Sequence, residues 1–171
     1  GNIVQSMTVY NSKAYIVVNN AAKVEVVNAS TFKSSGTIDG LSSPRYFTGL
    51  NTGKGYVSDW GSASGNVAVI NLSDNTVTST IDVKGSGPES MLLVGDKLFV
   101  INSGGWGYDS TVAVIDTQAD TLLALLTVGD NPKGIVQDAN GKLWVLCGGI
   151  ADWTNPSNDT EGKLVRLDAD T

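Results

Sequence analysis

The chain has 171 residues, 41% hydrophobic and 16% charged, with 20 glycines and a net charge of −6. Its 11 Lys and Arg are scattered among 17 Asp and Glu, which excludes nucleic acid or an anionic membrane surface as partner, since both require a basic patch. Histidine is absent, so Ser-His-Asp catalysis, Cys-His catalysis and His-ligated zinc are excluded, and the single Cys147 excludes an intrachain disulfide.

The first apolar run begins at Val4, and the turn Tyr10-Asn11-Ser12-Lys13 separates it from a second, Ala14 to Val18. A third spans Lys23 to Asn28, and a weaker fourth lies within Thr31–Asp39. Short apolar runs punctuated by turn residues predict an antiparallel meander of four strands, a to d. The unit then recurs: Pro44, Pro88 and Pro132 open strand a of later copies at intervals of 44 residues. An all-strand repeat with a period in the forties is the mark of a β-propeller blade. The copies cover 1–43, 44–87, 88–131 and 132–171. The fourth reaches only Leu167-Asp168-Ala169-Asp170-Thr171, just past strand c, so it is expected to be incomplete. The expected fold is all-β: about four four-stranded blades, the last incomplete, forming a partial ring. No apolar run approaches the roughly 20 residues of a membrane span, so this chain is not expected to insert into a membrane.

Strand b opens with Lys-x-aromatic-[Ile/Val] in every copy: Lys13-Ala14-Tyr15-Ile16, Lys54-Gly55-Tyr56-Val57, Lys97-Leu98-Phe99-Val100 and Lys142-Leu143-Trp144-Val145. The aromatic is expected to fill the space between blades, with the lysine in a solvated turn. Strand c repeats as Val24 to Asn28, Val67 to Asn71, Val112 to Asp116 and Leu164 to Asp168. Runs this apolar predict burial on both faces, and the closing Asn or Asp suits the c–d turn. Strand d, as in Thr76 to Val83, alternates apolar and polar residues, as an outer edge strand should.

Two sets of residues converge in such a fold without being sequence neighbours. The b–c loops lengthen along the chain: Asn19 to Ala22, Asp59 to Asn66, Asn102 to Ser110, and Cys147 to Gly162. The last three carry Trp60, Trp106 with Tyr108, and Trp153, alongside Asp59, Asn102, Asp109 and Asp152. Long Gly/Ser/Asp loops bearing tryptophan point to platforms for a sugar or a large planar ligand, or else to rings that cover the edge of the next blade. The second set, Gln5, Arg45, Glu89 and Lys133, occupies equivalent strand-a positions at the axial mouth, as ligand contacts or as a ring of solvated charges. Asp152, Asn158, Asp159 and Glu161 form a weak Ca²⁺ candidate that lacks the regularly spaced acidic loop. No catalytic residue and no cofactor is assigned.

The Lys-x-aromatic-Val strand b, the Val-x-Val-Ile-Asp strand c and the x-Pro entry to strand a together resemble the YncE-like propellers. More narrowly, they resemble the surface-layer-type proteins of Bacteroidetes that carry the DUF5074 domain. The resemblance implies a seven-bladed ring in an exported surface protein, usually an outer-membrane lipoprotein, without catalytic activity. It also implies a kinship with surface propellers that capture vitamin B12, which hold the corrinoid on the loop face.

The reading that follows is a non-enzymatic propeller segment binding a corrinoid or glycan on the b–c loop face. The alternatives are a metal-dependent lactonase- or lyase-like enzyme on the axis, and a structural surface or protein-interaction module. Val24 and Val26 at one end, and Leu164 and Leu167 at the other, are expected to leave apolar sheet faces that pair with a second copy or with further blades.

Overall fold

Turn residues between the apolar runs fold the chain into four antiparallel sheets. The computed structural model describes residues 2–61 and 64–170. The first sheet is β1 (Val4–Tyr10), β2 (Lys13–Val18), β3 (Lys23–Asn28) and β4 (Ser34–Ile38), and the second is β5 (Pro44–Gly49), β6 (Lys54–Asp59), β7 (Asn66–Asn71) and β8 (Thr76–Asp82). The third is β9 (Pro88–Val94), β10 (Lys97–Asn102), β11 (Thr111–Asp116) and β12 (Thr121–Thr127). The fourth has three strands among the described residues: β13 (Pro132–Gln137), β14 (Lys142–Cys147) and β15 (Lys163–Asp168). Each sheet is an antiparallel meander with its strands in chain order, the topology of a propeller blade. The second b–c loop is described except for Ser62 and Ala63, which lie outside the described residues.

The c–d turns are built as the sequence implies. Asn28 Oδ1 accepts from the backbone N–H groups of Ser30 and Thr31, and Asp116 Oδ1 accepts from those of Gln118 and Ala119. These side-chain bonds mimic a backbone turn and fix the c–d register.

The core is a set of three layers between successive blades. Tyr15, Val17, Val24, Val26 and Ile38 of the first blade meet Phe47, Val57, Ala68 and Ile70 of the second. Tyr56, Val67 and Val69 point the other way, against Leu98, Val100, Ala113 and Ile115. Phe99, Ile101, Val112 and Val114 then meet Leu143, Val145 and Cys147. Successive residues of strands b and c thus serve opposite neighbours, which is why these strands read as unbroken apolar runs.

Polar contacts lock the layers in register. The Tyr15 and Phe47 rings stack at 3.8 Å with an interplanar angle of 7°. Lys54 crosses to the third blade, donating to Thr117 O at 2.8 Å and to Asp120 Oδ2 at 2.6 Å. The fully buried Tyr56 donates to the other carboxylate oxygen, Asp120 Oδ1, at 2.8 Å. Lys97 repeats the crossing, donating to Ala169 O of the fourth blade at 3.2 Å. This corrects the expectation that the strand-b lysines sit in solvated turns: Lys54 and Lys97 bind the c–d turn of the following blade. Lys142 stays within its own blade, on Asp168. Burial, and then the Asp120 bond, push the Tyr56 phenol well above its ordinary pKa, so it remains a donor at every working pH.

The end faces also need correcting. Val24 and Val26 point inward into the first layer, and Leu167 packs on the third. Apolar residues left exposed on the end faces include Met7 and Val9 at one end, and Val136, Leu146 and Leu164 at the other.

The latch predicts a coupled loss of stability. Tyr56→Phe removes one buried hydrogen bond and is expected to cost about 1–2 kcal/mol in urea denaturation. Combined with Lys54→Met, it should cost less than the sum of the two single losses, because both donors serve Asp120.

Candidate functional site

The four strand-a segments lie side by side around the axis. Ser6 Oγ donates to Arg45 O at 2.6 Å and Thr8 Oγ1 to Phe47 O at 3.0 Å, tying β1 to β5. Each strand a carries a β-bulge where it pairs with strand b. The register slips at Gln5 in the first blade, Arg45 in the second, Glu89–Ser90 in the third and Lys133 in the fourth. A bulge inserts one residue against the partner strand and re-aims its side chain. Here it turns Gln5, Arg45, Glu89 and Lys133 into one pocket of about 200 Å³, completed by Tyr46, Ser103 and Pro132. The sequence placed these four at equivalent positions, and the fold brings them together.

Arg45 and Glu89 form an ion pair across two blades, with Nε at 2.9 Å and Nη2 at 2.8 Å from the same oxygen, Glu89 Oε1. Their side chains are only 16% and 14% exposed. The guanidinium lies 4.1 Å from the centroid of the Trp60 ring, so its position is fixed from two sides. Burial raises the Glu89 carboxyl above its ordinary pKa, opposed in turn by Arg45, by the Trp60 indole and by Lys133.

A second hollow adjoins the first, where the b–c loops of the second and third blades meet. This cleft, of about 340 Å³, is lined by Trp60, Trp106 and Tyr108 among a surround of Ser43, Ser86 and glycines. Trp60 and Trp106 meet edge to face, with centroids 5.7 Å apart. Gly87 has φ +61°, and a Cβ there would strike the Gly105 backbone, so two glycine main chains form the floor. The Trp106 ring is 98% exposed and free to stack. Tyr108 donates to Ala151 O at 3.4 Å, joining this loop to that of the fourth blade.

The acidic and amide residues of the loops are engaged in building them. Asp59 is buried and accepts from the N–H groups of Ser42, Ser43 and Gly61 at 2.7–2.8 Å. Asp109 accepts from Ser86 N at 2.8 Å and from Thr111 Oγ1 at 2.6 Å. Asn102 is buried and donates to Thr111 Oγ1, while its Oδ1 has no partner among the described residues. These side chains bolt the d–a loops to the b–c loops and so hold the cleft's walls. Asp152 accepts from Thr154, Asn155 and Asn158, bonds that hold its carboxyl far below the usual range. Asp159 accepts from Asp152 N. Asp152, Asn158, Asp159 and Glu161 therefore do not assemble as the Ca²⁺ candidate: the loop's oxygens bond within the loop, and among the described residues no group of three His, Cys, Asp or Glu is placed to hold a metal. Trp153 is 93% exposed on the fourth loop and does not line the cleft. Sequence reasoning missed Ser43, Ser86, Tyr46 and Ser103. The first two lie just before the strand-a prolines, a position that could have pointed to them.

The family described as "Domain of unknown function (DUF5074)" matches residues 1–153. No curated protein matches the sequence. Among solved structures, hydrazine synthase from Kuenenia stuttgartiensis is similar at TM-score 0.74 and 18% identity, over 90% of this chain and 46% of that one. The WD40 β-propeller domain of Doa1 is similar at TM-score 0.66 and 13% identity, over 84% and 46%. BamB from Moraxella catarrhalis is similar at 0.63 and 15%, over 84% and 40%. The likeness shows the propeller fold, and the chain spans less than half the length of each of these structures.

The raised Glu89 carboxyl makes a pH-dependent prediction. Its folded pKa lies above the unfolded value, so its contribution to stability is present below the ordinary glutamate pKa and is lost as pH rises through the raised one. Glu89→Gln lacks this loss. Urea denaturation from pH 4 to 8 should show the wild-type's advantage over the variant shrinking as pH rises.

Proposed function

The chain belongs to the DUF5074 family, and from that premise we propose that it is a non-enzymatic ligand-binding module whose site is the aromatic cleft of the b–c loop face. The observation that carries this reading is the fully presented Trp106 ring above a floor of glycine backbone. Exposing a tryptophan to this degree in water is unfavourable without a ligand to cover it. The cleft falls at the lower end of the roughly 300–1,000 Å³ usual for small-molecule sites. It suits a sugar ring, or the rim of a corrinoid whose remainder lies across the open face. The Ser43 hydroxyl, which accepts from Asn19 Nδ2, offers a polar group at the cleft's edge, and Tyr108 a second ring. Support for a non-enzymatic role comes from the axis, where Glu89 is already bridged by two Arg45 N–H groups and so is poorly placed to act as a base. The resemblance read from the strand-b and strand-c motifs supports siting such a module on an exported surface protein.

A second reading concerns association. Met7 and Val9 at one end, and Val136, Leu146 and Leu164 at the other, present the same apolar strand faces that elsewhere in the molecule are covered by the next blade. We propose that these faces are covered by a second copy of the chain or by further blades. Light scattering on the purified 171-residue protein should give about twice the 17.8 kDa of one chain. A monomer that remains soluble at high concentration would contradict this.

The cleft itself is tested by titrating the protein with cyanocobalamin and with neutral oligosaccharides while following tryptophan fluorescence. A saturable change is expected with one of these probes. Trp106→Ala, which removes an exposed ring and leaves the core untouched, should weaken it about tenfold or more. No response to any probe, or an undiminished one in the variant, would remove this site.

A further inference from the structure

Four successive strands each carry a bulge at the position that turns a polar side chain toward the axis, and the resulting pocket is cationic. Arg45 and Lys133 contribute two positive charges and Glu89 one negative charge, while the chain as a whole is at −6. Among the described residues Glu89 is the only acid lining the pocket. It uses one oxygen to hold Arg45 Nε and Nη2, and among the described residues Arg45 Nη1 has no hydrogen-bond partner. The Trp60 ring backs the guanidinium and prevents its rotation away. Lys133 is exposed and forms no ion pair among the described residues, although it lies near enough to Glu89 to favour its charged form. Its stem runs beside Gly148, where a side chain would crowd it. The Gln5 amide completes the donors, while the Ser103 hydroxyl on the pocket wall is committed to Gly87 O at 3.0 Å.

An ammonium without a counter-ion, beside a guanidinium held flat with free N–H groups, is an arrangement that favours an oxygen anion. We propose that the axial pocket is an oxyanion subsite, taking a carboxylate or phosphate group on Lys133 and the free edge of Arg45, with Gln5 alongside. The volume of about 200 Å³ has room for such a group, as a small anion or as the acidic end of a larger molecule. This site stands on the bulges and charges of the axis and does not depend on what occupies the aromatic cleft.

Glu89 acts as an internal competitor. Its carboxylate occupies the face of Arg45 that an incoming anion would otherwise use, so neutralising Glu89 should strengthen binding, whereas neutralising Lys133 should weaken it. The opposite signs at neighbouring positions separate a built site from general attraction to surface lysines.

The test is a ¹⁵N–¹H NMR titration of the 171-residue protein with sodium phosphate and, separately, sodium acetate, against sodium chloride at matched ionic strength. Saturable shifts are expected at Gln5, Arg45, Ser103 and Lys133 with at least one of the two anions, and the stronger arm identifies phosphate or carboxylate as the group recognised. Lys133→Ala, at an exposed position, should weaken binding about tenfold, and Glu89→Gln should tighten it several-fold. Trp106→Ala should leave it unchanged, which distinguishes failure of this proposal from failure of the cleft. Shifts that do not saturate, that scatter over other lysines, or that persist in Lys133→Ala would overturn the assignment.

Discussion

Everything in this molecule depends on sheets packing face to face. A meander of four short strands cannot bury its apolar residues alone, because each sheet has two faces and strands b and c are apolar on both. The layers solve this by sharing: Tyr56 and Val57, adjacent in sequence, enter cores on opposite sides of the same blade. The shared burial sets the distance between sheets. The polar latches set their register, since Lys54 and Tyr56 meet the third blade only where Thr117 and Asp120 stand. A slip of one residue would place a lysine against carbonyl-free surface and leave a buried phenol without an acceptor.

That rigid frame is what allows the axial end to hold polar residues in fixed positions. Strand a is the least apolar of the inner strands, and its bulge releases one residue per blade from the sheet's alternation. The d–a loops that lead into it are pinned by carboxylate acceptors, the buried Asp59 beneath Ser42 and Ser43, and the half-buried Asp109 beneath Ser86. The loop residues with the most hydrogen-bonding capacity are therefore those that build the site, while the exposed Trp106 ring is left facing solvent. The aromatic cleft and the axial pocket share Trp60 and Arg45 as a common wall, one facing loops and the other facing the axis.

Periodicity made the blades legible in the sequence, because the 44-residue spacing of Pro44, Pro88 and Pro132 and the strand-b aromatics are local signals of a repeated physical need. The convergence of Gln5, Arg45, Glu89 and Lys133 was legible for the same reason: equivalent positions in a rotational repeat must meet on the axis. The direction in which a residue faces was harder to read. Val24 and Val26 looked like an exposed end face but line the first layer, since strands apolar on both sides give no alternation from which to tell one face from the other. Nor could the sequence distinguish Asp59 as an anchor from Asp59 as a ligand contact, because that depends on backbone N–H groups arriving from 16 and 17 residues away. The latching of Lys54 onto Asp120, 66 residues downstream, is a contact between repeats that no single repeat displays.

The central claim is that ligand binding belongs to the loop end of the propeller, held in place by blades that do not change. Hydrogen–deuterium exchange measured with and without saturating cyanocobalamin or neutral oligosaccharide tests it most directly. The account predicts added protection in the loops at 59–61, 85–88 and 102–110, with the strand-d amides of β8 and β12 unchanged. Protection confined to strand d, or spread evenly over all four blades, would contradict it.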